Sequence, residues 1–173
     1  MDAFAVLADA AHRPVDSANA LVRGLDLDAL HARPDGKGNS IAWLIWHAGR
    51  QLDSQVAELT GREQVWHTGD WARRTGIHRD DQESGFGDDD GDVESLRVSD
   101  PSVLPAYLSD AVASLLHHLD EIDESALDDV VDTRWDPPVT RGVRLVSVID
   151  DAVAHVAQAQ YVRGIVADWS IGY

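Results

Sequence analysis

"NSIAWLIWHAGRQLDSQVAELTG", residues 39–61, is the stretch whose reading decides the fold. Asn39 or Ser40 is a good helix N-cap and Gly61 a good stop, because short polar side chains satisfy the first free N–H groups and glycine accepts a left-handed backbone. The helix between them is long enough to belong to a bundle. His47 directly follows the apolar run "IAWLIW", and Arg50, Gln51 and Ser54 continue its side of the cylinder at helical spacing.

Toward the C-terminus, residues 62–100 carry Trp66, Trp71, Phe86, His67 and His78 and a dense acid run, "DDQESGFGDDDGDVE", without a sustained period. This predicts a long crossover with short helical turns, folded over one end of the domain, its aromatic residues plugging that end or forming a lid. The acid run fails as a calcium loop. Aligning Gly91 with the fixed glycine of an EF-hand puts Phe86 at the first ligand position and Arg97 at the last, which leaves a solvated, mobile face.

A third helix follows in "DPSVLPAYLSDAVASLLHHLDEID", with Leu104, Leu108, Ala111, Leu115 and Leu119 along one side. His117 and His118 point about 100° apart on it, so only one can face inward. "ALDDVVDTRWDPPVTRGVR" is irregular and is expected to set the start of the last helix, with Trp135 as an anchor. The fourth helix is expected from about Leu145 to Trp169, with Leu145, Ile149, Ala152, Val156 and Ala159 on its apolar face.

Toward the N-terminus, "LDLDALHARPDGKGN" reads as a helical turn and a loop. A first helix precedes it from about Asp2 to Gly24, with an irregularity expected at Pro14. Four long helices, one long crossover and no convincing strand predict an all-α four-helix bundle. At 173 residues the expectation is a single domain over residues 1–173.

Composition narrows the function. A formal charge of −17, with 14 Lys and Arg against 31 Asp and Glu, repels phosphate backbones and anionic lipid, so neither nucleic acid nor membrane is an expected partner. No apolar run approaches the length of a membrane span, and the N-terminal residues lack the pattern of a signal peptide, so the expected location is cytoplasmic. With no cysteine, disulfides, thiolate metal sites and a cysteine nucleophile are excluded. A transition-metal site must therefore use imidazole and carboxylate.

Such a set exists. Asp151 and His155 are four residues apart on the fourth helix, Gln158 is three further on, and all lie at the edge of the apolar face. Two helices could bring His47, Asp151 and His155 to a common point, a donor set that suits Fe(II), Zn(II), Ni(II) or Mn(II). The same residues have plainer readings. A histidine beside a core is most often a hydrogen-bonded boundary residue, Asp151 could be a solvated acid, and His155 could simply pair with it.

"NSIAWLIWHAGRQLDSQ", the long gap and "LVSVIDDAVAHVAQAQYVRG" together resemble the DinB/YfiT-like superfamily of bacterial four-helix proteins, over nearly the whole chain. The resemblance implies an up-down-down-up bundle and a divalent metal, commonly Zn or Ni, held by three histidines at one end. Here His47 and His155 match two of them, Gln158 matches the glutamine of the last-helix pattern, and Asp151 stands where the third histidine would be. It further implies chemistry on a small-molecule substrate, with some members transferring low-molecular-weight thiols such as mycothiol, bacillithiol or glutathione.

If metal is bound, Gln51 and Gln158 are expected to support the site or orient substrate, and Arg50 and Arg163 to grip a carboxylate of a cofactor, with ion pairing the plainer role for both arginines. Two readings stay open at this point: a metal-dependent thiol S-transferase or related hydrolase, and a noncatalytic, stress-associated binding or dimerisation module whose metal site has drifted. A homodimer is expected on either reading, because bundles with apolar outer faces commonly pair.

Overall fold

The computed structural model describes residues 2–80 and 82–172. The Asp2 carboxylate accepts the Ala5 N–H at 2.8 Å and caps α1 (Ala3–Val22), which continues through the buried Pro14. A short α2 (Leu27–His31) and a 3₁₀ turn at Pro34–Gly36 follow, as the acidic segment predicts. Ser40 caps α3 (Ile41–Thr60), whose end is turned by Gly61 at a φ of 71°. The crossover contains α4 (Val65–Thr68), α5 (Trp71–Thr75) and α6 (Asp90–Ser95). Then come α7 (Val103–Leu119) and α8 (Arg141–Ala167).

The helix faces chosen by apolar spacing are the buried ones: Leu104, Leu108, Ala111 and Leu115 on α7 and Leu145, Ala152, Val156 and Ala159 on α8 are all fully or nearly fully removed from water. His118 turns inward and His117 outward. Both α3 and α1 pack against α7 and α8, so α1 and α3 lie across one diagonal of the bundle. Contacts between specific residues set the directions. His47 and Gln55 of α3 meet His155 and Arg144 of α8, so those helices are antiparallel. Gly49 lies against Tyr107, and Arg62 reaches Glu121, so α3 runs parallel to α7. The C-terminal ends of α1 and α8 meet at Leu21 and Arg163. The bundle is therefore up-down-down-up.

The crossover is fastened where it leaves α3. Asp53, buried on α3, accepts the N–H groups of Val65 at 2.9 Å and Trp66 at 2.8 Å and the Tyr107 hydroxyl at 2.9 Å. Burial pushes its carboxyl above the usual range despite these bonds. Trp66 and Trp71 are buried with ring centroids 5.0 and 5.5 Å from Tyr107, so these two crossover aromatics pack onto the bundle, whereas Phe86 stays 88% exposed.

Three local expectations are corrected. A small antiparallel ribbon, β1 (Val130–Asp132) with β2 (Val139–Thr140), occupies the irregular segment, too short to show a strand period. The last helix starts at Arg141 rather than Leu145, because Thr140 caps it. Trp135 is 66% exposed and is no anchor. Asp132 does that work: it accepts from Arg134 at 2.9 Å and from Arg144 at 2.8 Å, and Arg144 also reaches Gln55. These bonds hold the Asp132 carboxyl far below the usual carboxylate range. Among the described residues no helix is long and apolar enough to cross a membrane.

Candidate metal centre

The antiparallel packing of α3 on α8 brings the second turn of α3 against the middle of α8. His47 is buried there, and Asp151 and His155, one turn apart, are half-buried at the edge of the core. The two imidazoles meet edge to face, with centroids 4.5 Å apart and planes at 71°. One donor atom from each of His47, Asp151 and His155 lies within 4.8 Å of the others. An ion about 2.1 Å from each donor tolerates donor separations up to roughly 4.2 Å, so a shift of a few tenths of an ångström per side chain closes the set.

Backbone carbonyls settle which nitrogen each ring offers. His155 Nδ1 is 2.8 Å from the Asp151 carbonyl, and His47 Nδ1 sits on the Ser84 carbonyl. A carbonyl only accepts, so both Nδ1 atoms donate, and in the neutral rings the lone pair is left on Nε2. This is how metal-binding imidazoles are normally oriented. The carboxylate adds an independent sign: Asp151 Oδ2 is buried without a hydrogen-bond partner and stands 3.4 Å from His155 Nδ1. A buried carboxylate oxygen left in that state is costly, and a cation relieves the cost. The donor set fits a divalent ion.

The two histidines respond to their surroundings in opposite ways. Burial pushes His47 below the ordinary imidazole value of 6.5, the nearby His155 adds to this, and the Ser84, Asp151 and Asp88 oxygens only partly offset it. Burial also works against the charged form of His155, yet the Asp151 carboxylate and carbonyl outweigh it and hold this ring above 6.5.

The other residues singled out by sequence divide. Gln51 is half-buried one turn beyond His47, and Gln158 is exposed one turn beyond His155. Arg50 is fully buried, but its Nε donates to the Glu83 carbonyl at 3.1 Å, its Nη1 to Gln64 at 2.8 Å, and it lies over the Trp66 ring. Arg163 does return to the apolar side of α8, but it donates to the carbonyls of Leu21 and Arg23 at the end of α1. Arg50 thus holds the crossover through Glu83 and Gln64, and Arg163 holds the end of α1. Sequence reading missed the segment that covers His47. The acid run is not wholly solvated, since the Asp88 side chain is only 12% exposed and accepts from Trp43 Nε1 at 2.7 Å and from Arg79 at 2.6 Å. Asp81 of that run lies outside the described residues. The signal available was the pair Gly85 and Gly87 around Phe86, which marks a backbone that must turn tightly.

The sequence model of the DinB superfamily matches residues 12–159, a span that contains all three residues of the cluster. The chain belongs to the DinB superfamily. A crystal structure described as the conserved protein of a locus from Enterococcus faecalis superposes on this DinB-superfamily chain with a TM-score of 0.89. It is 31% identical in sequence, and the match covers 98% of this chain and 99% of that one. No curated protein matches. Within this DinB-superfamily bundle, the Asp151 carboxylate belongs to the same cluster as the two imidazoles.

Proposed function

We propose that this DinB-superfamily chain holds one divalent metal ion on His47, Asp151 and His155, and acts with it as a transferase of low-molecular-weight thiols of the mycothiol or bacillithiol type, or as a related hydrolase. The observation that carries the reading is the Asp151 Oδ2, buried without a hydrogen bond beside two imidazoles whose Nδ1 atoms are tied to backbone carbonyls. Two nitrogens and one carboxylate oxygen suit Zn, Ni, Fe or Mn. A divalent ion there supplies a Lewis acid that brings the pKa of a bound water or thiol toward neutrality.

The chain's own groups do the rest. His47 and His155 donate through Nε2, and the Asp151 charge offsets part of the cation's. With no cysteine in the chain, the thiol must arrive as a small-molecule cofactor. Gln51 and Gln158, on the same two helical stripes, are the groups we assign to orienting thiol or substrate.

A second reading rests on the 3.4 Å contact between His155 and Asp151. In it the pair is an ordinary ion pair, and the bundle is a noncatalytic binding module. Elemental analysis of untagged protein, purified without chelator, separates the two. We expect about one metal ion per chain, lost in His155→Ala and in Asp151→Ala, and consumption of a free thiol only by the metal-loaded protein. A native protein without stoichiometric metal, even after reconstitution, would leave the second reading standing.

A further inference from the structure

His47 is covered by the segment around Ser84 and Gly85, and the contacts there are of a kind that orients a ring. The Ser84 carbonyl receives His47 Nδ1. Gly85, at a φ of 91°, lies so close that a Cβ in its place would stand 2.9 Å from Trp43 Cζ2 and 3.0 Å from His47 Nδ1 and Trp46 Cζ3. Only glycine accepts both that backbone conformation and that approach. Trp43 stacks on the His47 ring at 4.5 Å and 15°. Its indole N–H is bonded to Asp88, which Arg79 also holds, and the Arg79 guanidinium lies over the Trp46 ring at 5.0 Å. On the far side, Arg50 holds the Glu83 carbonyl.

The segment is therefore tied to α3 on both sides of Ser84, at Glu83 and at Asp88. A freely moving loop could not offer one carbonyl to one ring nitrogen. We infer that residues 83–88, held by Arg79, form a strap whose purpose is to fix the tautomer and ring plane of His47, with Gly85, Asp88 and Arg79 as positioning residues that act through the Ser84 carbonyl and Trp43. The inference rests on the metal reading for its functional meaning, but the tautomer is a property of the metal-free chain. Without the strap, His47 can rotate or move its proton to Nε2, the nitrogen the cluster needs as a donor. Groups that orient a metal-binding imidazole in this way typically change metal affinity about 10- to 100-fold.

The test is long-range ¹H–¹⁵N NMR of the imidazole nitrogens in the metal-free protein, together with Zn²⁺ affinity by competition with a chromophoric chelator. Asp88→Ala releases both Trp43 and Arg79, and Gly85→Ala pushes the strap off the ring. Gly85→Ala also presses on the buried Trp43 and Trp46, whereas Asp88→Ala removes an acceptor without adding bulk, and helical circular dichroism checks that each variant stays folded. In the unmodified protein we expect His47 protonated on Nδ1. Both variants should lose that preference and bind Zn²⁺ about 10- to 100-fold more weakly, whereas Asp88→Glu, keeping the acceptor, should recover part of the loss. An unmodified protein protonated on Nε2, or variants that keep the Nδ1 proton or full Zn²⁺ affinity, would overturn the strap. Failure of the unmodified protein to bind Zn²⁺ would overturn the metal reading instead, and the tautomer alone would then decide the strap.

Discussion

His47 and His155 have rings in contact, yet their surroundings push their proton affinities in opposite directions. The raised His155 value means that, without metal, its pairing with Asp151 stabilises the fold fully below pH 6.5 and loses that contribution as the pH rises through the raised value. The lowered His47 value has the opposite sign: the ring stays neutral at 6.5, and protonating it at lower pH costs stability. A metal ion needs both rings neutral. As the pH falls, the protons that Zn²⁺ binding displaces should therefore come from His155 before His47, with affinity rising as the pH is raised. Calorimetry in two buffers of different ionisation enthalpy, repeated across pH, counts them; protons displaced from both rings over the same pH range would mean that His47 is not held neutral by its burial.

Arg163 ties one helix to the end of another. The last carbonyls of a helix have no partner within it, and the Arg163 guanidinium, 6% exposed on α8, donates to those of Leu21 and Arg23 where α1 ends. Its Cζ also lies 4.6 Å from the Trp169 ring centroid. Eight residues separate it from His155, about 12 Å along the helix, so this is a fastening of the bundle and lies away from the metal cluster. Arg163→Ala should lower stability by about 2–3 kcal/mol in urea unfolding, since two carbonyls lose a charged donor. Arg163→Lys should restore only part, because an ammonium lacks the planar fork. Zn²⁺ affinity should not change; a loss of affinity in a folded Arg163→Ala protein would revive the ligand-gripping role expected from sequence.

The assembled bundle leaves one apolar face uncovered. Val143, Val146, Val153, Tyr161 and Ile165 run along the outside of α8, between 40% and 73% exposed. A contiguous apolar stripe of this kind is more than the scattered single residues a monomer normally shows to water. With its polar margin it can form the centre of an interface of about 800 Å² per partner, the size a stable dimer needs. A second copy of the chain is the occupant we expect, α8 against α8 across a two-fold axis. Each copy carries a formal charge of −17, so repulsion opposes the pairing and salt should strengthen it. Sedimentation equilibrium should show a dimer that tightens between about 50 and 500 mM salt, and Val153→Glu should abolish it. A monomer at every salt concentration would dismiss this face as an interface.

The four long helices, their buried faces, the two ends of α3 and the crossover were legible from local spacing: Ser40 and Gly61 bound α3, and the apolar residues three or four apart along one side of α7 and α8 are buried. The triad was half legible. Residue types and helical phase nominated His47, Asp151 and His155, but whether α3 and α8 would bring them together depended on the relative height of two antiparallel helices, which is set by packing. The employment of Arg50 and Arg163 was not legible, because it depends on backbone carbonyls and on side chains such as Gln64 that only the fold brings to them. The strap was hidden for the same reason. A run of acids looks solvated until the fold lays Trp43 and Arg79 against Asp88, and a glycine shows its necessity only when His47 is found behind it. Local periodicity is written along the chain, whereas the pairing of one backbone oxygen with one distant side chain exists only once the tertiary structure has closed.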